Sequence, residues 1–186
     1  MSSHPKAPEI VAHIDGASRG NPGPAAYGVL VESAEGAPIA TLSKFLGRAT
    51  NNVAEYHALL AVLEYALENH HLHLRVLADS ELLARQIEGR YKVKSQDLKP
   101  LYEEARRMIQ RLEHFSIRHV PREKNEEADR LANQALDAAG FKTVSSRPAD
   151  VVLRTAATYQ RGTLTPLRQL PLTEGEEVSL EIRRKK

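Results

Sequence analysis

The stretch "HIDGASRGNPGP", residues 13–24, places one acidic residue after a short apolar run and then surrounds it with small residues. The apolar run Ile10–Ala12 precedes it, so Asp15 is predicted to lie at the end of a buried strand. An aspartate at such a place is commonly a turn former, because its side chain bonds the neighbouring backbone. That interpretation holds unless other carboxylates converge on the same point.

The composition narrows the class of protein. The chain has 186 residues, of which 41% are hydrophobic, and it contains no cysteine. The absence of cysteine excludes disulfides and thiolate metal sites, and it is typical of a reducing compartment. No apolar run approaches the roughly 20 residues that span a bilayer, and the first residues lack the pattern of a signal peptide. We therefore expect a soluble cytoplasmic protein with no membrane partner.

The charge is unevenly distributed along the chain. The net charge is +2, made up of −2 over residues 1–140 and +4 over residues 141–186. A main body without positive net charge is not a bulk binder of nucleic acid. Any polyanion must then be bound locally or through metal ions.

The hydrophobic periodicity changes along the chain from strand-like to helical. The order βββαβααβα predicts an α/β fold, in which an antiparallel meander is followed by parallel strands in a mixed five-stranded sheet with helices on both faces. Residues 1–140 are predicted to form this domain, 141–149 a linker, and 150–186 a small β module. The predicted strands are 9–15, 25–33, 38–47, 72–79 and 115–120, and the predicted helices are 51–70, 80–89, 98–114 and 125–140.

Three further acids occupy unusual places in this pattern. Glu55 lies in the apolar stripe of the first helix, where an unpaired carboxylate is costly. Asp79 ends an apolar strand as Asp15 does, although Asp79 or Ser80 could simply cap the next helix. Asp129 borders the buried side of the last helix, although a solvated helix acid is the simpler interpretation of that residue alone.

Taken together, the four acids predict a metal site. Clustered carboxylates repel one another and raise one another's pKa unless a cation joins them. Oxygen ligands without cysteine favour Mg²⁺ or Mn²⁺. Two such ions roughly 4 Å apart can activate water and stabilise the leaving oxygen in phosphodiester cleavage.

Four segments resemble the signature blocks of type 1 ribonuclease H: "DGASRGNPGPAAYG", "TNNVAEYHAL", "LADSELL" and "NEEADRLANQAL". The resemblance covers about residues 8–140 and implies a ribonuclease H-like fold. It also implies two Mg²⁺ (or Mn²⁺) ions and endonucleolytic cleavage of the RNA strand of RNA–DNA hybrids, leaving 5′-phosphate and 3′-hydroxyl ends. The matching catalytic and metal-binding acids are Asp15, Glu55, Asp79 and Asp129. A non-cleaving hybrid-binding module of the same fold is the alternative.

The resemblance further implies a set of nucleic-acid contacts. Small residues after Asp15 let a nucleic-acid backbone approach the metals. Asn21 matches a position that contacts the 2′-hydroxyl, although it also suits the turn "NPG". The second block opens a helix whose N-terminus favours phosphate, although its residues can also be plain caps. The implied contact residues are Gly16, Ser18, Arg19, Asn21, Thr50, Asn51 and Asn52.

Two departures from the family pattern leave questions open. Many members carry a histidine in the loop before the last acid, but no histidine lies between Pro121 and Asp129 here. Glu123, Lys124 and Glu126 are the open candidates for its replacement. Some members also insert a basic handle, for which this chain has only a short basic loop over residues 90–94. Members without a handle include some that cut double-stranded RNA, so this second substrate stays open.

The C-terminal segment is predicted to be a small β module. Residues 151–159 and 176–182 have strand patterns, and "QRG" at residues 160–162 predicts a turn. The segment resembles a family of small antitoxin-like proteins over about 30 residues. A piece of this size cannot bury a stable core alone. It is therefore expected to pack on the catalytic domain or, as the favoured alternative, on the same segment of a second chain to form a homodimer. The positive charge of this end of the chain also favours a role in binding the hybrid.

Overall fold

The structure of this chain, a computed structural model, describes residues 9–141, 157–160 and 163–166. The chain divides into two compact units, Met1–Val144 and Ser145–Lys186. The first unit contains the predicted catalytic domain. The boundaries predicted for the two domains and the linker remain predictions.

The first unit has the predicted order βββαβααβα. Its sheet has the strand order β3-β2-β1-β4-β5, in which β1 pairs antiparallel with β2 and parallel with β4. Within the described residues, no helix is long and apolar enough to cross a membrane. The strands are β1 Ile10–Ser18, β2 Gly23–Ser33, β3 Pro38–Ala49, β4 His73–Ala78 and β5 His114–His119, and the helices are α1 Asn51–Glu68, α2 Glu81–Ile87, α3 Leu98–Ile109 and α4 Glu126–Ala138, with a 3-10 turn at Arg122–Lys124.

Strand β1 is longer than predicted. It continues through Ser18 because its last residues pair with β2, so Asp15 lies inside the strand and not at its end. The parallel pairing of β1 with β4, however, stops at Ile14 and Ala78. Asp15 and Asp79 are therefore the first residues beyond the parallel ladder, and both lie at the same edge of the sheet.

Helix α3 is shorter than predicted, since it ends at Ile109 and not at His114. The chain turns back at this point, with the amide of Leu112 bonded to the carbonyl of Ile109. His114 already belongs to β5. The helical pattern of apolar residues extends to Leu112 because this residue packs against the core although it lies beyond the end of the helix.

Two glycines show that helices cover both faces of the sheet. A side chain at Gly16 would meet the backbone of α1, 2.3 Å from the Glu55 nitrogen, and one at Gly28 would meet α4, 2.3 Å from the Ala128 carbonyl oxygen. Gly28 is paired with Asp15, and Asp15 and Gly16 are successive residues of β1. Because paired residues share a face and successive residues alternate, α1 and α4 lie on opposite faces.

The main core lies between the sheet and helices α1, α2 and α3. The predicted stripe of α1 is confirmed, since Glu55, Ala58, Leu59, Val62 and Ala66 are all buried. These side chains pack against apolar residues of β1, β2 and β4. Glu55 is thus carried into the protein on a face that is otherwise apolar.

The described part of the second unit is a two-stranded antiparallel sheet. Strand β6 Ala157–Gln160 pairs antiparallel with β7 Thr163–Pro166, and Gln160 lies opposite Thr163. Strand β6 covers the end of the strand predicted at 151–159, whereas residues 161–162 of the predicted turn lie outside the described residues. Strand β7 was not predicted. The strand predicted at 176–182 lies outside the described residues.

Replacing Gly28 with alanine should destabilise the first unit. The added methyl group would lie 2.3 Å from the Ala128 carbonyl oxygen and 2.5 Å from the Ala132 amide nitrogen, and neither backbone atom can rotate away. We expect urea titration to show a loss of about 3 kcal/mol in the free energy of unfolding. The control Gly36→Ala has open space around it and a φ of +85°, and it should cost about 1 kcal/mol. Equal losses in the two variants would contradict this role of Gly28.

Candidate active site

A cleft of about 380 Å³ lies beyond the end of the parallel β1–β4 ladder. All four predicted acids line it, together with several small and polar residues. The cleft therefore joins residues from strand β1, the segment after β4, helices α1 and α4, and the 3-10 turn. Its lining residues are Asp15, Gly16, Ala17, Ser18, Arg19, Asn51, Glu55, Asp79, Ser80, Arg122, Asp129 and Asn133.

Three of the acids form a close cluster. One carboxylate oxygen from each of Asp15, Glu55 and Asp79 lies within 4.8 Å of the others. Asp15 comes from β1, Glu55 from the second turn of α1, and Asp79 from the residue after β4. Asp15 and Glu55 are 4% and 3% exposed, so solvent cannot screen their charges. This is the convergence that distinguishes Asp15 from an ordinary turn former.

The cluster is electrostatically unfavourable without a cation. Burial, and then the charges of Asp79 and Asp129, raise the pKa of Asp15 to about 8. Burial and the neighbouring Asp15 and Asp79 raise the pKa of Glu55 well above its ordinary value. Glu55 Oε2 and Asp79 Oδ1 are buried without a hydrogen-bond partner in the described structure. An all-oxygen donor set with two unsatisfied carboxylate oxygens fits a hard divalent cation.

Ser80, and not Asp79, caps helix α2. The Ser80 hydroxyl accepts a hydrogen bond from the Leu83 amide at 3.3 Å. The capping alternative is therefore correct for Ser80, and it leaves the Asp79 carboxylate directed to the cluster. A cap at residue 80 also fixes where β4 ends and α2 begins.

Asp129 lies in the cleft, but its carboxylate is hydrogen-bonded to residues outside the three-acid cluster. Arg122 Nη2 donates to Asp129 Oδ1 at 2.6 Å, and Asn133 Nδ2 donates to Asp129 Oδ2 at 3.1 Å. Both carboxylate oxygens are thus engaged, and the three-acid cluster does not include this residue. Asp129 is 28% exposed at its side chain, much more than Asp15 or Glu55.

Arg122 is a site residue that the sequence analysis missed. It belongs to the loop that lacks a histidine, and it lines the cleft. The three candidates considered for that loop, Glu123, Lys124 and Glu126, are exposed and do not line the cleft. The sequence gives no specific signal for Arg122, because a cation in a polar loop is common in any sequence.

The predicted nucleic-acid contacts divide into two groups. Gly16, Ser18, Arg19 and Asn51 line the cleft with the acids. The backbone of α1 fills the space beside Gly16, so packing alone already requires a glycine there. Arg19 lies 3.7 Å from Asp137 of α4.

The second group of predicted contacts lies outside the cleft lining. Asn21 precedes a cis proline and accepts a hydrogen bond from the Asn51 amide at 3.1 Å, so it supports a residue that does line the cleft. Thr50 caps α1 by accepting from the Val53 amide, which confirms the capping alternative for this residue. Asn52 is exposed in the first turn of α1.

Two family models match the chain, one in each unit. A model described as reverse transcriptase-like matches residues 13–135, which is more than half of the chain. A model described as AF2212-like matches residues 156–186. The second description does not mention an antitoxin, so the predicted antitoxin resemblance remains a prediction.

Known proteins and solved structures are also similar to this chain. A bifunctional protein of Mycobacterium tuberculosis is 42% identical over 183 residues, covering 95% of this chain and 50% of that protein, so the chain spans about half the length of this relative. The crystal structure of RNase H1 from Halobacterium salinarum is 44% identical with a TM-score of 0.68, covering 70% of this chain and 98% of that chain. The crystal structure of LC11-RNase H1 in complex with an RNA/DNA hybrid is 40% identical with a TM-score of 0.67, covering 70% and 99%.

Replacing Asp15 with asparagine should stabilise the metal-free protein. Between the ordinary pKa of 3.8 and the raised value of about 8, folded Asp15 keeps a proton that the unfolded chain releases. Stability contributed by this residue is therefore lost as the pH rises through that window. In EDTA at pH 8, we expect urea titration of Asp15→Asn to show a gain of about 1–2 kcal/mol. The control Glu35→Gln, in an exposed turn, should show none. Wild type and Asp15→Asn with the same pH dependence of stability would contradict this prediction.

Proposed function

The chain belongs to the ribonuclease H family, and from this membership we propose that it hydrolyses the RNA strand of RNA–DNA hybrids. The observation that carries the proposal is the close cluster of Asp15, Glu55 and Asp79 in an open cleft. In the proposed reaction, water attacks phosphorus and the bond to the 3′ oxygen breaks. The water oxygen stays on the 5′-phosphate, and the departing oxygen takes a proton to become the 3′-hydroxyl.

We propose that the acids hold two divalent ions, Mg²⁺ or Mn²⁺. Asp15, Glu55 and Asp79 supply the donor oxygens for one ion, and Asp15 with Asp129 supplies those for the other. When bound, the ions supply Lewis acidity, which activates water and stabilises charge on the phosphate oxygens. The unsatisfied oxygens of Glu55 and Asp79 support this assignment. Asp15 is central in it because burial, and then the charges of Asp79 and Asp129, raise its pKa.

The remaining lining residues are proposed to hold the substrate. The positive end of the α1 dipole suits a phosphate, and Asn51 lies there in the cleft. Asn21 accepts from the Asn51 amide, so the two residues can act as one unit toward a sugar and its 2′-hydroxyl. Gly16, Ser18, Arg19, Thr50 and Asn52 complete the proposed contact set.

Arg122 is proposed to take the place of the missing loop histidine. Its guanidinium stays protonated at all relevant pH values, so it can donate hydrogen bonds but cannot act as a general base. Asp129 holds it at 2.6 Å, beside the cleft in which the phosphate is proposed to lie. Its role is then to stabilise negative charge on the phosphate and to orient Asp129.

The relatives give no support for three further predictions, which concern a second substrate, a dimer and the cellular location. Double-stranded RNA as a second substrate, a homodimer through residues 150–186, and a cytoplasmic location all remain predictions. The alternative of a non-cleaving hybrid-binding module is disfavoured because all four acids are present and line one cleft.

A cleavage assay with a labelled hybrid tests the proposed function. We expect cleavage in Mg²⁺ or Mn²⁺, none in EDTA, and losses of about 10³-fold or more in kcat for Asp15→Asn, Glu55→Gln and Asp79→Asn. Duplex DNA is the negative control, and double-stranded RNA tests the second substrate. Cleavage that persists in EDTA, or wild-type activity in Asp15→Asn at saturating Mg²⁺, would overturn the proposal.

Replacing Arg122 with alanine should lower kcat while leaving the cluster of Asp15, Glu55 and Asp79 intact. We expect a loss of about 10-fold to 100-fold in kcat, because one charge-assisted hydrogen bond to phosphate and to Asp129 is removed. Arg122→Lys should restore part of the rate, since it keeps the charge but not the planar guanidinium. The control Lys124→Ala removes an exposed cation of the same turn and should change kcat by less than about 2-fold. Equal effects of Arg122→Ala and Lys124→Ala would refute the role of Arg122.

A further inference from the structure

Asn125 connects three parts of the cleft through its backbone and side chain. Its amide donates to the Arg122 carbonyl at 2.9 Å, and its carbonyl accepts from the Asp129 amide at 3.1 Å. Its side-chain Nδ2 donates to the Ile14 carbonyl at 2.8 Å. The residue thus joins the arginine and the fourth acid to the strand that carries Asp15.

The side chain of Asn125 is used in an unusual way for its position. It lies directly before α4, where asparagine commonly caps the helix by accepting from a backbone amide. Here it makes no capping bond. It is 1% exposed and its Oδ1 is buried without a hydrogen-bond partner in the described structure. The chain therefore forgoes a cap and leaves an acceptor unsatisfied, both of which lower stability.

The bond partner of Asn125 explains what this arrangement achieves. Ile14 and Ala78 are the last pair of the parallel β1–β4 ladder, so the Ile14 carbonyl lies where the strands begin to separate. The next residue of each strand is an acid of the cluster, Asp15 and Asp79. A donor at this carbonyl fixes the start of α4 against the strand end, one residue away from Asp15.

We propose that Asn125 is a positioning residue, which sets Arg122 and Asp129 at a fixed distance from the Asp15, Glu55 and Asp79 cluster. This inference rests on the proposed function for its kinetic consequences, but its structural part does not. Asn125 acts through Arg122 and Asp129 and is itself buried away from substrate. The cluster of three acids comes from β1, α1 and β4, so its affinity for a first metal ion should not depend on Asn125.

The kinetic test is a double-mutant cycle with Asn125→Ala, Arg122→Ala and the double variant. We expect Asn125→Ala to lower kcat on the hybrid about 10-fold, with KM changed by less than about 2-fold. In the Arg122→Ala background, the same substitution should cost less than about 3-fold, because the two residues act as one unit. Fully additive losses, or a kcat for Asn125→Ala within 2-fold of wild type, would overturn the inference.

Two further measurements separate positioning from a general loss of stability. Tyr56→Phe is the matched control: it removes another buried hydrogen bond, from the Tyr56 hydroxyl to Gln86 Oε1 at 2.8 Å, and likewise leaves a buried acceptor unpaired. It should lower the urea midpoint about as much as Asn125→Ala but keep kcat within 2-fold. Calorimetric titration with Mn²⁺ should give Asn125→Ala the wild-type affinity for the first ion. A kcat loss in Tyr56→Phe equal to that in Asn125→Ala would overturn the inference.

Hydrogen exchange tests the structural part without any activity. Asn125→Ala, or the milder Asn125→Ser if the alanine variant does not fold, should exchange faster over residues 120–130 than wild type. Tyr56→Phe should not change exchange in that segment. Unchanged exchange over residues 120–130 would overturn the inference, whereas a wild type that cuts no hybrid would overturn the proposed function alone.

Discussion

The contact between strand β1 and helix α1 at Gly16 is the constraint on which the cleft depends. With no side chain at Gly16, the backbone of Ala54 and Glu55 packs directly against the strand, and a methyl group would come within 2.3 Å of the Glu55 nitrogen. This close approach carries the Glu55 carboxylate beside Asp15, on a helix face that is otherwise apolar. The opening glycine of the "DGASRGNPGP" stretch is therefore explained by packing before any ligand is considered.

The cluster is held together against its own electrostatics. Burial and mutual repulsion raise the pKa of both Asp15 and Glu55, and two carboxylate oxygens have no partner. Hydrophobic packing of α1 and the sheet maintains this arrangement, because its face buries many apolar side chains for each acid. A bound cation would offset the negative charge of these carboxylates and so remove the repulsion between them. The same three carboxylates thus lower the stability of the metal-free protein and supply the oxygens that a cation needs.

The loop between β5 and α4 divides the cleft into two sides with different properties. On one side, Asp15, Glu55 and Asp79 form the cluster, of which Asp15 and Glu55 are buried. On the other, Asp129 is more exposed and is paired with Arg122 and Asn133. The hydrogen bond from Asn125 to the Ile14 carbonyl connects the two sides. Arg122 lies in a short 3-10 turn that has no buried residues. The position of this turn therefore depends on single hydrogen bonds more than on hydrophobic packing.

The sequence by itself determined the order of strands and helices in the first unit and the four acids that meet. Periodicity records which residues must be buried, and Glu55 was conspicuous because it interrupts an apolar stripe. The tertiary structure decided that β1 runs past Asp15, because pairing with β2 is a long-range property that apolar alternation does not encode. It also decided the positions of Arg122 and Asn125. A cation in a polar loop and an asparagine before a helix are common in any sequence, and their partners, Asp129 and the Ile14 carbonyl, are set by how α4 packs on the sheet.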